Sequence, residues 1–251
     1  MKKIFPTRKK GISFLPKKWI LAICLVSIAG NTPATQPPKS GKAYVVSNAH
    51  LDTQWLWTVR TSIIDYIPRT IYQNLALIHD YPDYIFNFEG AVKYNWMKEY
   101  YPLDYEKVKE AIKNGRWHVS GSSWDANDVN VPSPESSFRN ILLGQEFYKK
   151  EFGLKSTDIF LPDCFGFGYT LPSIAKHCGL IGFSTQKLGW RKKPFYGNSK
   201  IPFTIGRWKG IDGAELICAL DCGSYVHNFK DDDLTKDNDL IQSVERDPMR
   251  T

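Results

Sequence analysis

Apolar positions along this chain alternate between short continuous runs and helical stripes. Ala43 to Ser47 is an apolar run of strand length. Ser62 to His79 spaces Ile63, Ile64, Ile67, Ile71, Leu75 and Ile78 near helical period, with Pro68 as a point where the helix should kink. Tyr84 to Phe88 reads as a strand, Ala91 to Glu99 and Tyr105 to Lys113 as helices, and Trp117 to Ser120 as a strand. Asn114-Gly115 stops the second of those helices. Ser133-Pro134-Glu135-Ser136 has the marks of a helix start: a capping hydroxyl, a proline at the first helical position and an early acid that suits the helix dipole. Gly153 stands near the end of that helix. Ile159 to Leu161 is a strand, Leu171 to Cys178 a helix and Gly182 to Thr185 a strand. After Pro202 the texture changes, and Phe203 to Lys209 and Glu215 to Leu220 read as strands joined in hairpin style by Gly210 to Ala214.

Strand and helix alternating at this spacing predict an α/β fold, a parallel sheet with helices packed outside it. Working residues in such folds gather at the C-terminal ends of the strands. His50, Asp52, Trp124, Asp125 and Asp163 all fall just past predicted strands. No internal repeat or low-complexity segment interrupts the pattern.

The first 29 residues carry a different signal. Seven lysines and arginines precede an apolar run, Trp19 to Ala29, that ends in Ser27-Ile28-Ala29, with small residues at the cleavage positions. The run is shorter than the roughly 20 residues that a spanning helix needs, so residues 1–29 read as a cleaved secretory signal peptide, with export to the periplasm or the medium and no membrane attachment afterwards. Residues 30–42, rich in Pro, Ser and Thr, form a linker, and residues 227–251 a polar tail. Of 33 basic and 26 acidic residues, the seven basic ones in the signal account for the whole excess. The remainder is neutral, which gives no support to nucleic-acid binding. Cys164, Cys178, Cys218 and Cys222 are expected mostly as free, buried thiols. Eight Trp, thirteen Tyr and fourteen Phe suit a packed core first, and sugar stacking second.

Candidate chemistry begins at Ala43-Tyr44-Val45-Val46-Ser47-Asn48-Ala49-His50-Leu51-Asp52. Residues i and i+2 on an extended chain share a face, so His50 and Asp52 offer an imidazole and a carboxylate to one divalent cation. A His-x-Asp pair is as readily a surface or capping pair. Trp55 and Trp57 follow at once, however, and a polar pair walled by tryptophans at the mouth of an apolar strand reads as a pocket lining. Asp163 follows a second strand, in Leu161-Pro162-Asp163-Cys164-Phe165-Gly166-Phe167-Gly168. It could be a turn residue. The interleaved aromatics and glycines also suit close approach to a ligand, and a carboxylate beside a cation stays ionised, as a nucleophile must.

Three stretches together resemble the N-terminal domain of the zinc-dependent α-mannosidases of glycoside hydrolase family 38: Ser47 to Trp55, Gly115-Arg116-Trp117 through Asn140-Ile141-Leu142, and Leu161 to Phe167. The likeness runs in order over most of residues 43–226 and is closest in style to exported bacterial members. It implies a βα barrel-like parallel sheet with outer helices, here an incomplete catalytic domain, and a retaining glycosidase acting on mannose-containing glycans. It also implies zinc held by His50, Asp52 and Asp163, with Asp163 doubling as the nucleophile. Trp55 matches the ring on which mannose stacks, Phe165 the wall beside the nucleophile and Tyr225 a sugar-contacting tyrosine. The family's second zinc histidine, its general acid/base and its β-rich domains come later than anything in this chain, so the resemblance implies weak or absent turnover by these residues alone. Asp125 and Asp128 are the last candidates for the missing acid, and His227 reads as an exposed histidine before the tail. Two other readings fit the same residues, a metal-dependent carbohydrate deacetylase and a non-catalytic sugar-binding remnant.

Overall fold

A computed structural model describes residues 47–186, 188 and 205–220. The signal, the linker, residues 43–46, Cys222, Tyr225, His227 and the tail lie outside the described residues. Strands β1 (Ser47–Ala49), β2 (Phe86–Glu89) and β3 (Trp117–Ser120) pair in parallel in the order β1-β2-β3. Strands β4 (Asp158–Phe160), β5 (Gly182–Thr185), β6 (Ile205–Lys209) and β7 (Glu215–Leu220) form a second sheet in the order β4-β5-β7-β6. Its first three strands are parallel, and β6 closes the edge antiparallel to β7. The expected hairpin is therefore present, and it makes the second sheet mixed. The two sheets meet where Ser122 N–H and Oγ both donate to the Asp158 carbonyl, at 2.9 and 2.7 Å. Gly121 N–H adds a bond to the Asp158 carboxylate at 3.3 Å.

Helices follow where the apolar stripes predicted them: α2 (Ile67–Asp80), α3 (Ala91–Tyr100), α4 (Pro102–Lys113), α5 (Pro134–Phe152) and α6 (Leu171–His177). A short α1 (Val59–Thr61) leads into α2 through a π-helical turn, Ser62–Tyr66. That turn is how the chain accommodates Pro68. A proline lacks the N–H for an i→i−4 bond, and the wider turn just before it absorbs the mismatch, so the helix continues. Helix α5 starts as its sequence predicts, with Ser133 Oγ accepting from Ser136 N–H, and ends at Gly153 with φ 70°. Among the described residues no helix is long and apolar enough to cross a membrane.

Two apolar clusters hold the layers together. The first joins Phe86, Phe88, Trp117 and Val119 of β2 and β3 to Ile67, Ile71, Tyr94, Val108 and Tyr148 of the helices. Its buried polar tips are satisfied: Trp117 Nε1 donates to Tyr94 Oη at 2.9 Å, and Tyr94 Oη donates to the Phe88 carbonyl at 2.9 Å. The second cluster packs Ile159, Phe183, Leu216 and Cys218 of the second sheet against Leu171, Ile174 and Ala175 of α6. Since Phe86 and Phe88 face the helices, strand alternation turns Asn87 and Glu89 to the opposite face of β2. Glu89 and the residues just past the neighbouring strands carry the site.

Candidate metal and active site

The C-terminal ends of strands from both sheets supply the functional side chains. His50 follows β1 directly, Glu89 is the last residue of β2, Asp125 lies in the segment after β3, and Asp163 follows β4. His50, Asp52 and Asp163 each present a ligand atom, and the three atoms lie within 4.8 Å of one another. Among the described residues this is the one group of three or more such side chains so placed. His50 Nε2 sits 3.0 Å from Asp52 Oδ1, while Nδ1 sits 3.0 Å from Glu89 Oε1.

Glu89 is almost fully buried, 1% exposed, and Lys93 is completely so. Lys93 Nζ donates to both Glu89 oxygens, at 2.9 and 2.8 Å, and lies 3.6 Å from Asp125 Oδ1. Thr53 Oγ1 donates to Asp125 Oδ2 at 2.9 Å. The lysine folds back across Gly90, whose φ of 88° suits glycine and where an added Cβ would come within 2.8 Å of Nζ.

Neighbouring charge decides the protonation of this cluster. Burial pulls the His50 imidazole down, but hydrogen bonds to Asp52 and Glu89, with the Glu89 charge, outweigh it and push His50 up to about 9. An arriving cation has to displace that proton. The His50 hydrogen bond holds Asp52 below the usual carboxylate range. Burial opposes ionisation of Glu89, yet the Lys93 charge and the His50 bond win and keep it low. Burial raises Asp125, with Lys93 and Thr53 opposing.

Loops brace the site from behind. Ser62 Oγ donates to the Thr53 carbonyl at 2.8 Å and accepts from Trp57 Nε1 at 2.8 Å, which ties the segment after His50 to the helix start. Asn140 of α5 donates through Nδ2 to the Asp125 carbonyl at 2.9 Å and accepts from Asp125 N–H through Oδ1 at 3.1 Å. Helix α5 can come this close because residue 144 is glycine: a Cβ there would lie 2.3 Å from the Ser122 carbonyl oxygen. Asn130 Nδ2 donates to the Gly166 carbonyl at 2.8 Å and so connects the segment after β3 to the Asp163 loop.

Of the residues read from sequence, His50, Asp52 and Asp163 come together. Trp55 and Phe165 are 68% and 56% exposed, on the loops that carry the triad. Trp57 stands edge-on to Trp55 at 5.7 Å and packs on Tyr66 at 4.9 Å, which makes it the support of the first ring. Cys164, Cys178 and Cys218 are free thiols, and Cys164 donates to the Asn127 carbonyl at 3.3 Å. Glu89, Lys93 and Asn140 were not singled out from the sequence as contributors. A carboxylate closing a strand that buries Phe86 and Phe88, with a lysine four residues on at the start of a helix, was the available signal for the first two.

An imidazole and two carboxylates suit a zinc-like divalent ion, which prefers four nitrogen, oxygen or sulfur ligands at about 2.0–2.2 Å. The donors present fit such an ion: His50 Nε2 lies 3.0 Å from Asp52 Oδ1, and a ligand atom of Asp163 joins those of His50 and Asp52 within 4.8 Å.

Comparison with known proteins identifies the family. The family described as glycosyl hydrolases family 38, N-terminal domain, matches residues 40–246. Alpha-mannosidase G of Dictyostelium discoideum is 36% identical over 176 residues, which is 70% of this chain and 16% of that protein. Alpha-mannosidase 2C1 of Homo sapiens is 32% identical over 174 residues, again 69% of this chain and 16% of that protein. The chain thus spans 16% of the length of these curated relatives. In structure, an alpha-mannosidase from Enterococcus faecalis V583 superposes with a TM-score of 0.64 at 21% identity, covering 80% of this chain and 23% of that one, which speaks for the fold. With the fold, the strand-end triad and the family match in agreement, the chain belongs to glycosyl hydrolase family 38, of which it carries N-terminal domain sequence.

Proposed function

We propose that this chain is the metal-bearing part of an exported, zinc-dependent retaining α-mannosidase that acts on mannose-containing glycans. The observation that carries the reading is the convergence of Asp163 with His50 and Asp52, residues far apart in sequence, at the C-terminal edge of the strands. His50, Asp52 and Asp163 hold zinc, which supplies positive charge that keeps the carboxylates ionised and orients sugar hydroxyls. Asp163 attacks the anomeric carbon through a carboxylate oxygen as the bond to the leaving oxygen breaks. Trp55 stacks on the sugar face, Phe165 walls the side next to the nucleophile, and Tyr225 contacts the sugar. Retention requires a second carboxyl group about 5–5.5 Å from the first to protonate the leaving oxygen. Asp125 is a poor choice for that part, because Thr53, Lys93 and Asn140 already engage its carboxylate and its backbone.

The test is Asp163→Ala in the full chain, assayed for release of mannose and of acetate from matching substrates, with mannose binding measured in parallel. Loss of mannose release together with loss of zinc supports the assignment. Unchanged hydrolysis in the variant overturns the nucleophile. Acetate release by the unmodified chain selects the deacetylase reading, and mannose binding without hydrolysis that survives unchanged in Asp163→Ala selects the sugar-binding one.

A further inference from the structure

We infer that Glu89, held in place by Lys93, is the positioning residue that turns the His50 ring toward the cation. The inference rests on the metal reading above and extends it to residues that would touch neither cation nor sugar. An imidazole has two nitrogens, and only one can face the ion. The other has to carry a proton and find an acceptor. His50 Nδ1 meets Glu89 Oε1 at 3.0 Å, and this leaves Nε2 beside Asp52, 3.0 Å from Oδ1, in the residue group that Asp163 completes.

The acceptor is built rigidly. Glu89 ends a strand hydrogen-bonded on both sides, to β1 and to β3. An added Cβ at Gly121 would stand 3.0 Å from Glu89 Cβ, so the neighbouring chain packs directly on its stem. A carboxylate at 1% exposure needs compensation, and Lys93 provides it through both oxygens. The same ammonium lies 3.6 Å from Asp125, whose other oxygen accepts from Thr53 in the segment that follows His50 and Asp52. One buried lysine therefore sets the acceptor behind the histidine and anchors the loop that carries the second ligand. Stability alone asks for no such arrangement, since a well-packed apolar pair of the same volume would fill the space at similar or lower free energy.

The experiment is a zinc titration of the full chain by competition with a chromophoric chelator. It compares the unmodified protein with Glu89→Gln, with the neutral pair Glu89→Gln/Lys93→Met, with His50→Ala and with Ile112→Val, a core change in the first cluster. The Glu89 variants are expected to bind zinc about 10- to 100-fold more weakly. Ile112→Val should bind as the unmodified protein does. In zinc-loaded, histidine-labelled protein, long-range proton–nitrogen correlation should show the His50 Nδ1 proton of the unmodified chain shifted or exchanging in the variants. A purely structural role would not move that signal. Glu89→Gln preserves side-chain volume, so it carries the test if the double variant does not fold. Zinc affinity within twofold of the unmodified protein, with His50→Ala still losing the ion, overturns this inference alone. An unmodified chain that takes up no zinc, or a His50→Ala variant that keeps it, overturns the metal reading and this inference together.

Discussion

Individual side chains divide sharply between those that hold the fold and those that wait for a ligand. Trp55 is 68% exposed, so Trp55→Ala should change stability by no more than about 0.5 kcal/mol while weakening mannose binding, which a fluorescence titration with the sugar checks. Lys93 is the opposite case. Lys93→Met leaves the buried Glu89 carboxylate with its His50 hydrogen bond but without the ammonium that meets both its oxygens, and should cost about 3–5 kcal/mol, read as a lower urea midpoint. If Lys93→Met unfolds at the same urea concentration as the unmodified chain, Glu89 is finding water or another cation.

Among the helices, α5 does most to connect the layers. Its glycine at 144 faces the Ser122 to Trp124 backbone at distances no Cβ can occupy. Gly144→Ala should therefore destabilise by about 1–3 kcal/mol or more and disturb the Asp125 loop, a combination that a thermal melt and a zinc titration would report together. The other end of α5 holds a pH-sensitive tie. Glu151 accepts from Lys98 of α3 at 2.7 Å and from Tyr105 of α4 at 3.1 Å. Burial opposes its ionisation, but these two donors outweigh it and hold Glu151 below its ordinary value. A depressed folded-state value means stability that is present above the unfolded value near 4.5 and lost as pH falls through the lowered one. Glu151→Gln should cost about 1 kcal/mol at neutral pH, since solvent screens the half-exposed lysine, and the cost should fade in denaturation curves as pH drops through the lowered Glu151 value.

Taken as a whole molecule, the described fold is two sheets that meet through Asp158, each with its own apolar cluster. Hydrogen exchange should protect β2 and β3 most strongly. These strands carry Phe86, Phe88, Trp117 and Val119 at 2% exposure or less. The edge strands β1, β4 and β6 should exchange sooner, because among the described residues each pairs on one side only. Uniform exchange over both sheets would mean that the second cluster contributes as much as the first.

Much of this was legible in residue order, for reasons of local physics. Period-2 and period-3.6 patterns, a capping serine at 133 and a glycine at 153 decide secondary structure through contacts a few residues long, so Trp117 to Ser120 and Gly182 to Thr185 appear as strands where the pattern put them. His50 and Asp52 were legible as a pair because an extended chain puts i and i+2 on one face. The π-helical turn before Pro68 was not, since a proline announces a disturbance and says nothing about how neighbouring packing will absorb it. Nor were the partnerships of Glu89 with His50, of Lys93 with Asp125 and of Asn140 with the loop after β3. A charged residue in a string of letters reads as solvent-facing; only the closing of strand ends over one another buries it, and burial is what forces it to find a partner. Residue order determined the elements and the ligand types, while the tertiary arrangement decided which carboxylate meets which nitrogen, because that choice depends on distances set by chain segments that never touch in sequence.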